Sequence, residues 1–498
     1  MNARQLSRRE FLSLCSATAA AACGGVDGID DPVAETVGAG GAGTSSSSVG
    51  SGRAGEGGGG GAGTNPSGAG GDGGQGGTDP GDPTGPEPVD PWDAPGQQDD
   101  VAFAWGVQSG DATTTAVLLS VRSTEPELSL TVMRGTSMGW EEAASGQWFT
   151  SQDGMVHLEL TSLLPDTVYA VAFYSKDGQR RSRVARFRTA IPDGSSRVVR
   201  FGATSCFGDV NDPWPSVSHS IKHKLDFFLL LGDAIYADND PDKFDYVAKY
   251  KHALSLSGLQ DLTAGTSIVA TWDDHEIDNN WSWSTPGIQM QFDEALAAFR
   301  QHLPQRVAGA PTQLWRRLSW GDALDIFVLD CRGERKDGLY LSVAQMDWLK
   351  QELVASTAAF KVIMTSVPIF DFTGTVIGSA AAADRWQGYP TQRNELLDHV
   401  RDQSVKGVLW ISGDVHFGAV AQVDQDGGPG DDQWEIIAGP TGSFINPVAF
   451  LLKGKRMPVV QSKHNWVMVE ADPATGEAIV RFIGDAGNEL ATHTLKLH

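Results

Sequence analysis

Residues 227–236 of this 498-residue chain read FFLLLGDAIY, an apolar run that ends in a glycine, an aspartate and a tyrosine. A short continuous apolar run of this kind is typical of a strand buried on both faces of a sheet. Similar runs recur at 198–204, 267–271, 326–329, 361–364 and 408–411. Between them, Ser342 is placed to cap an amphipathic helix. The alternation predicts an α/β layered domain in which helices flank a β-sheet core.

Most of these predicted strands are followed by side chains that can bind a metal ion. In chain order these side chains are Cys206, Asp233, Tyr236, Asp273, Asp274, His275, Asp330, Asp414 and His416. In open α/β sheets, ligands bind at the carboxyl ends of the strands. Carboxylates crowded there repel one another unless cations lie between them. We therefore predict a site for two or more metal ions, an arrangement that suits hydrolysis of phosphate esters.

Each of these groups has a structural alternative when it is taken alone. A Gly-Asp pair after a strand is commonly a turn, and residues 273–276 can be the charged start of a helix, where the helix dipole favours carboxylates. Cys206 can be packed as a small apolar residue. The ordered set of groups at successive strand ends favours the metal site.

The pattern changes between residues 95 and 192 to short alternating strands, separated by turn signals such as Asp153-Gly154 and Asp177-Gly178. This spacing predicts a small antiparallel β-sandwich. Residues 163–174 resemble the tyrosine corner of fibronectin type III-like domains, in which the hydroxyl of Tyr169 would bond to the nearby chain. Because the segment holds no cluster of reactive groups, we predict a non-catalytic companion to the domain at 193–498.

The first 23 residues are predicted to be an export segment and not part of the fold. Residues 7–12, SRREFL, resemble the twin-arginine export motif, and residues 20–23, AAAC, resemble a bacterial lipobox with Cys23 as the acylated residue. An ordinary signal peptide, cut near Ala22, is the alternative. Residues 24–94 are rich in Gly, Ser and Pro and predict a disordered linker. We therefore expect a protein of the periplasm or cell surface, anchored to a membrane through lipidated Cys23.

The composition limits the classes of function. With 62 acidic and 38 basic residues the net charge is −24, which disfavours general nucleic-acid binding because phosphate backbones attract basic surfaces. No apolar run reaches the roughly 18 residues of a transmembrane helix. Of the four cysteines, only Cys206 and Cys331 lie outside the export segment, and the sequence leaves open whether they pair.

Taken together, the motifs resemble those of PhoD-type alkaline phosphatases, which belong to the metallophosphoesterase-like superfamily. The resemblance rests on Gly232-Asp233, on residues 272–276 (WDDHE) and on residues 413–416 (GDVH). It extends to further matches at 103–111, 205–206, 329–332 and 384–389. It implies a metallophosphoesterase-like sheet core and an exported hydrolase that cleaves phosphate mono- or diesters with a metal-activated hydroxide.

The resemblance also implies a mixed centre of ferric iron, Fe(3+), and calcium, Ca(2+). Cys206 and Tyr236 would ligate the iron and Asp233 would bridge the metals. This division makes chemical sense, since thiolate and phenolate stabilise a trivalent ion whereas calcium accepts oxygen ligands. The remaining implied ligands are Asp273, Asp274, Asn280, Asp414 and His416.

Three further residues are predicted to act on the substrate. His275 would bind phosphate or protonate the leaving oxygen. Arg332 or Arg385 would clamp phosphate oxygens in a bidentate way, since the guanidinium geometry suits that task. An ordinary ion pair is the alternative for either arginine.

Two alternatives accompany this hypothesis. The chemistry could use a serine nucleophile, which we place second because no serine stands among the metal-site acids. The function could instead be that of a non-enzymatic, lipid-anchored surface binding or adhesion protein with a structural metal site. The main hypothesis predicts a phosphate-ester substrate and the twin-arginine export machinery as partners, and no nucleic acid.

Overall fold

Three β-sheets carry the fold. The computed structural model describes residues 87–88, 91–378 and 382–497, which belong to one unit that begins at Pro83. The predicted export segment with Cys23, and the predicted linker up to residue 86, lie outside the described residues. Within the described part of the chain, no helix has the length and apolar character needed to cross a membrane.

The first nine strands form two layers that pack against each other. They are β1 (Gln97–Gln98), β2 (Val107–Gly110), β3 (Val117–Arg122), β4 (Glu127–Thr136), β5 (Gly139–Thr150), β6 (Met155–Leu160), β7 (Val168–Ser175), β8 (Arg180–Arg181) and β9 (Ala185–Arg188). One layer has the order β1-β8-β7-β4-β5, with β9 also paired to β7, and the other contains β2, β3 and β6. Leu119, Leu130 and Phe173 are among the apolar side chains that share the core of this segment. The Tyr169 hydroxyl accepts a hydrogen bond from the Leu164 N–H at 2.8 Å, the contact expected of a tyrosine corner.

The remaining strands complete two large sheets. They are β10 (Val199–Thr204), β11 (Phe227–Leu230), β12 (Ser267–Ala270), β13 (Arg316–Trp320), β14 (Leu324–Val328), β15 (Phe360–Met364), β16 (Val408–Ser412), β17 (Gly418–Gln422), β18 (Trp434–Ile437), β19 (Val459–Gln461), β20 (Asn465–Asp472), β21 (Glu477–Gly484) and β22 (Glu489–Lys496). The nine-stranded sheet has the order β22-β21-β20-β10-β11-β12-β2-β3-β6, and the seven-stranded sheet has the order β13-β14-β15-β16-β18-β17-β19. Apolar side chains of both sheets, including Leu229 and Val362, form one core between them.

The helices cover these sheets. They are α1 (Pro215–Ser218), α2 (Tyr246–Ser255), α3 (Ser257–Gly265), α4 (Ile288–His302), α5 (Val343–Ala355) and α6 (Pro390–Asp402). α2 to α4 share a core with the nine-stranded sheet, and α5 and α6 share one with the seven-stranded sheet. As predicted, Ser342 caps α5, its hydroxyl accepting a hydrogen bond from the Gln345 N–H at 3.2 Å. The mixed sheets with helices packed on them therefore confirm the predicted α/β layered architecture, in which helices flank a β-sheet core.

The N-terminal strands are joined to the rest of the fold through the nine-stranded sheet. β12 pairs with β2 at Ile268 and Gly110. The next residue, Asp111, binds the buried Arg316 guanidinium through two hydrogen bonds of 2.8 Å. Residues 95–192 thus share a sheet with the segment that follows them, which the sequence analysis did not anticipate.

Candidate metal centre

The candidate centre lies where strands of both large sheets end. Cys206 follows β10, Asp233 and Tyr236 follow β11, and residues 273–275 follow β12, and these three strands are parallel neighbours. The loop that carries Asp414 and His416 follows β16 in the seven-stranded sheet. Parallel neighbours present their carboxyl ends at one edge, so the first three groups converge by topology.

A close approach brings the two sheets together at this edge. A Cβ atom on Gly413 would lie 2.4 Å from the Ser205 side chain, and one on Gly439 would lie 2.9 Å from the same residue. Only glycine fits at these two positions without a shift of its surroundings. The end of β16 can therefore pack directly against the end of β10.

Two groups of potential metal ligands share Asp233. The ligand atoms of Cys206, Asp233 and His416 all lie within 4.8 Å of one another, and the same is true of Asp233, Asp274 and His275. A carboxylate has two oxygens and can contact a cation on each side. The arrangement therefore suits two adjacent cations with Asp233 between them.

Two carboxylate oxygens at the centre are buried and unpaired. Among the described residues, Oδ1 of Asp233 and Oδ2 of Asp273 have no hydrogen-bond partner. Leaving such a group buried without a partner costs roughly 1–3 kcal/mol, and more when it is charged. Together with a thiol, imidazoles and further carboxylates, these oxygens form a donor set that fits metal ions.

The electrostatics of the protein groups also favour a cation. Burial raises the pKa of Asp233 and of Asp414 well above the ordinary value, and neighbouring carboxylates add to the effect. Burial likewise raises the pKa of Asp273 to about 6, although Arg332 opposes it. The pKa of the Cys206 thiol is raised by burial and by the charge of Asp233. A cation between these groups would lower their raised pKa values again, because metal ligands bind in their deprotonated forms.

Tyr236 lies next to the ligand group formed by Cys206, Asp233 and His416. Its hydroxyl oxygen is 3.4 Å from Oδ2 of Asp233 and 3.3 Å from Nε2 of His416. Burial lowers the pKa of His416 to about 4, so its imidazole is neutral and free to bind a metal. The Tyr236 ring stacks on His275 with centroids 4.0 Å apart.

Five of the predicted ligands have a left-handed backbone. The φ angles are 58° at Cys206, 54° at Asp233, 51° at Asn280, 66° at Asp414 and 59° at His416. Positive φ is uncommon for residues other than glycine, and such strained positions cluster at functional sites. Each of them lies in a loop that follows a strand, and the ligand atoms of Cys206, Asp233 and His416 come together there.

His275 has a partner that the sequence analysis missed. Its Nδ1 lies 2.7 Å from Oδ1 of Asp238, two residues beyond Tyr236. Burial alone would lower the pKa of His275, but Asp274, Asp233 and Asp238 raise it well above the ordinary value. The carboxylate therefore fixes the ring and favours its protonated form. The spacing Gly-Asp-x-x-Tyr-x-Asp is the only sequence signal that could have pointed to Asp238.

Glu276 was also missed as a functional residue. Its buried carboxylate accepts hydrogen bonds from the N–H groups of Asp233 at 3.0 Å, Ala234 at 2.6 Å and Asp273 at 2.9 Å. It thereby ties the loop after β11 to the loop after β12. Its role is to hold the two ligand loops in register.

Asn280 contributes through its backbone. Its N–H donates to Oδ2 of Asp274 at 2.7 Å, whereas its exposed side chain donates to the Oδ1 of Asn279 at 3.3 Å. The metal-ligand role of the Asn280 side chain stays a prediction that this geometry does not favour. Asp330, at another strand end, accepts hydrogen bonds from Trp272 and Gly333 and stabilises its own loop.

Arg332 is held in ion pairs. Its Nε donates to Oδ1 of Asp273 at 2.6 Å, its Nη1 binds Asp384, and its side chain is fully buried. Asp384 in turn binds Arg335 at 2.7 Å. The ion-pair alternative therefore describes Nε and Nη1 of Arg332, whereas its buried Nη2 has no hydrogen-bond partner among the described residues and lies 3.8 Å from Oδ1 of Asp274.

Arg385 is buried as well. Its guanidinium lies 4.9 Å from the ring centroid of Phe372 and donates from Nη2 to the Ile377 carbonyl at 3.2 Å. Burial lowers the pKa of Arg385, and the charge of Asp414 acts in the opposite direction. The charge of Arg332 also acts on Asp414 and lowers the pKa of that carboxyl, so both predicted arginines interact electrostatically with Asp414.

Cys331 takes no part in the centre. It is buried near Thr365, with Sγ 3.1 Å from the threonine hydroxyl. Both Cys206 and Cys331 are free thiols, so the disulfide that the sequence left open is not formed.

Comparison with known proteins agrees with this geometry. Residues 201–469, more than half of the chain, match the family described as PhoD-like phosphatase. Alkaline phosphatase D of Bacillus subtilis (strain 168) is 26% identical over 377 residues, an alignment that covers 63% of this chain and 64% of that protein. The alignment thus spans slightly less than two thirds of the relative's length.

Two solved structures share the fold. A structure of PhoD superposes with a TM-score of 0.67 at 20% identity, covering 82% of this chain and 90% of the other. The purple acid phosphatase PPD1 from yellow lupin (Lupinus luteus) superposes with a TM-score of 0.57 at 13% identity, covering 78% of this chain and 73% of the other. Both show that the chain shares its overall fold with these two phosphatase structures. From the family match and this shared architecture we conclude that the chain belongs to the PhoD-like phosphatase family.

Proposed function

We propose that the chain is a metal-dependent alkaline phosphatase or phosphodiesterase that hydrolyses phosphate esters. The observation that carries this proposal is that Asp233 lies within 4.8 Å of the ligand atoms of Cys206 and His416 and also of a carboxylate oxygen of Asp274. Two adjacent cations held by these residues would supply an activated water and positive charge to neutralise a phosphoryl group. No covalent enzyme intermediate is part of the proposal.

The residues divide between the two cation positions. Cys206, Tyr236 and His416 face one position, and Asp274 faces the other, with Asp233 between them. A thiol and a phenol favour ferric iron, whereas a position lined by carboxylates suits calcium. The family resemblance implied Cys206 and Tyr236 for the iron and Asp233 as the bridge. The proposed places of His416 and Asp274 are supported by the ligand groups to which they belong.

His275 is proposed to protonate the leaving oxygen. Its Nδ1 is occupied by Asp238, which leaves Nε2 to face the substrate and to carry the proton. Arg332 is proposed to position Asp273, to which its Nε donates. Because Nε and Nη1 of Arg332 are already held by carboxylates, Arg385 is the arginine proposed to bind phosphate oxygens.

We also propose export by the twin-arginine route and a lipid anchor at Cys23. The support is the sequence of residues 7–12 and 20–23. The companion segment at 95–192 is proposed to be a fibronectin type III-like sandwich, supported by the Tyr169 contact with Leu164.

The test is a comparison of Asp233→Asn with Asp293→Asn, a change at an exposed position on α4. Because loss of an outer-shell partner already costs roughly 10–100-fold, loss of the shared ligand should cost more than about 100-fold in hydrolysis of a chromogenic phosphate ester. Elemental analysis should show less bound metal in the same variant. Full activity and metal content in Asp233→Asn would contradict the proposal.

A further inference from the structure

One loop contacts three of the predicted ligands. Residues 438–446 follow β18, and the N–H groups of Gly442 and Ser443 donate to the Cys206 carbonyl at 2.9 and 3.0 Å. The N–H of Asn446 donates to the His416 carbonyl at 2.9 Å. The third contact, from the hydroxyl of Ser443, is to Tyr236.

Ser443 is oriented so that its hydroxyl proton points to Tyr236. Its Oγ accepts a hydrogen bond from the Gly208 N–H at 3.2 Å, and its carbonyl accepts one from Nε2 of His464 at 2.8 Å. The side chain is buried. Since the Tyr236 hydroxyl donates its own proton toward the Asp233 carboxylate, the Ser443 proton is donated to the Tyr236 oxygen, 2.5 Å away.

The other neighbours of this phenol oxygen are predicted metal ligands and lie farther away. Asp233 is at 3.4 Å and His416 at 3.3 Å. Both are long for a hydrogen bond between oxygen atoms or to an imidazole. The contact with Ser443 is therefore the one that fixes the position of the Tyr236 oxygen.

We infer that Ser443 is a positioning residue for Tyr236, whose phenol oxygen it directs toward the cation position shared with Cys206, Asp233 and His416. The inference rests on the proposed function, because it concerns the same metal centre. A hydrogen bond donated to a ligand oxygen withdraws electron density from it, as outer-shell partners do at metal sites in general. Ser443 thus controls both where this oxygen lies and how strongly it donates.

The test uses the purified, metal-containing protein and its visible absorption. If Tyr236 binds a ferric ion, a ligand-to-metal charge-transfer band should be present in the wild type and absent from Tyr236→Phe. In Ser443→Ala this band should move to longer wavelength, since the phenol oxygen regains electron density. Metal affinity, measured by reloading the chelated protein with ferric iron, should fall roughly 10–100-fold.

The matched control is Ser182→Ala, which removes a buried serine hydroxyl from the N-terminal segment, where it bonds to the Phe173 N–H. It should leave both the band and the metal affinity unchanged. A Ser443→Ala protein with the wild-type band and affinity would overturn the inference while leaving the proposed function intact. A wild type that binds no cation and hydrolyses no ester would instead overturn both.

A second measurement works without metal. In the chelated protein, the losses of melting temperature in Ser443→Ala and Tyr236→Phe should be non-additive, since both variants remove the same hydrogen bond. Additive losses would contradict the contact on which the inference depends.

Discussion

At the scale of single residues, His275 shows how a neighbouring carboxylate determines the orientation and the protonation state of an imidazole. Asp238 binds Nδ1 of the imidazole at 2.7 Å and, with the carboxylates of Asp233 and Asp274, raises the pKa of His275 against the effect of burial. A partner of this kind fixes both the tautomer and the orientation of the ring. His275, the proposed proton donor, thus depends on Asp238, which is not itself a proposed metal ligand.

We expect Asp238→Asn to lower kcat roughly 10–100-fold. The same change should lower the pKa of His275, since a negative charge that favours the imidazolium is removed. Because the proposed role needs the protonated ring, the alkaline limb of the pH–kcat profile should move to lower pH. The exposed Asp240→Asn serves as the control, and an alkaline limb that does not move would argue against His275 as the acid.

At the scale of elements, the turn after β11 determines where Asp233 lies. Gly232 has a φ of 106°, and a Cβ at this position would lie 2.7 Å from both the backbone nitrogen and the Cβ of Asp273. The loops after β11 and β12 therefore touch through a residue that must be glycine. Glu276 holds the same two loops from the other side by three backbone hydrogen bonds.

We expect Gly232→Ala to reduce metal content and activity although it removes no ligand. The added methyl group must push the two loops apart, and misplacement of a reacting group by about 1 Å can cost about 100-fold. The control is Gly178→Ala, which has a φ of 69° and no atom within 4 Å of the new Cβ. This variant introduces the same kind of backbone strain as Gly232→Ala but no steric clash, so its activity should stay near that of the wild type.

At the scale of the whole molecule, a buried ion pair joins the N-terminal strands to the large sheets. Asp111 and Arg316 are both buried, and Asp111 also accepts a hydrogen bond from the Arg306 N–H at 2.7 Å. Removing one partner of a buried pair leaves an uncompensated charge and costs roughly 3–5 kcal/mol. We expect Asp111→Ala to lower the free energy of unfolding by about this amount, as measured by denaturant titration.

The exposed Asp347→Ala is the control for that measurement and should change stability little. A related expectation is that residues 193–498 expressed alone are insoluble, because β12 would lose its pairing with β2 and expose an edge. A soluble, active fragment would show that the predicted domain boundary also divides the protein into independent folding units.

The site acids also make the stability of the whole molecule depend on pH when metal is absent. Burial raises the pKa of Asp273 to about 6 and the pKa of Glu276 to about 7. Between their ordinary values and these raised values the folded state binds more protons than the unfolded state, so stability falls as pH rises. The melting temperature of chelated protein should therefore drop by several degrees from pH 5 to pH 8.

Metal-loaded protein should lose less stability over the same pH range, because cations compensate the charge of the deprotonated acids. The measurement is a pair of thermal melts at each pH, one with chelator and one with metal restored. If melting temperature falls with pH equally in the two forms, the charge of the acids is not compensated by metal.

How much of this could be predicted from the sequence differs from one residue to the next. The apolar run at 227–231 predicted β11, and Ser342 predicted the start of α5, because both signals act over a few neighbouring residues. The strand-end groups could be placed at one edge, since parallel strands align their carboxyl ends. An ion pair was an alternative for Arg332, but its partner could not be predicted, because Asp273 lies 59 residues away along the chain.

The sequence by itself determined the strands, the capped helix, the donor types and the family, since each depends on short-range patterns or on motifs that stand in order along the chain. Only the tertiary structure decided that β16 meets β10, that Asp238 holds His275 and that Ser443 reaches Tyr236 across 207 residues. The physical reason is that a hydrogen bond or a ligand contact needs atoms within a few ångströms. Packing of the two sheets against each other, and not any local propensity, sets those distances.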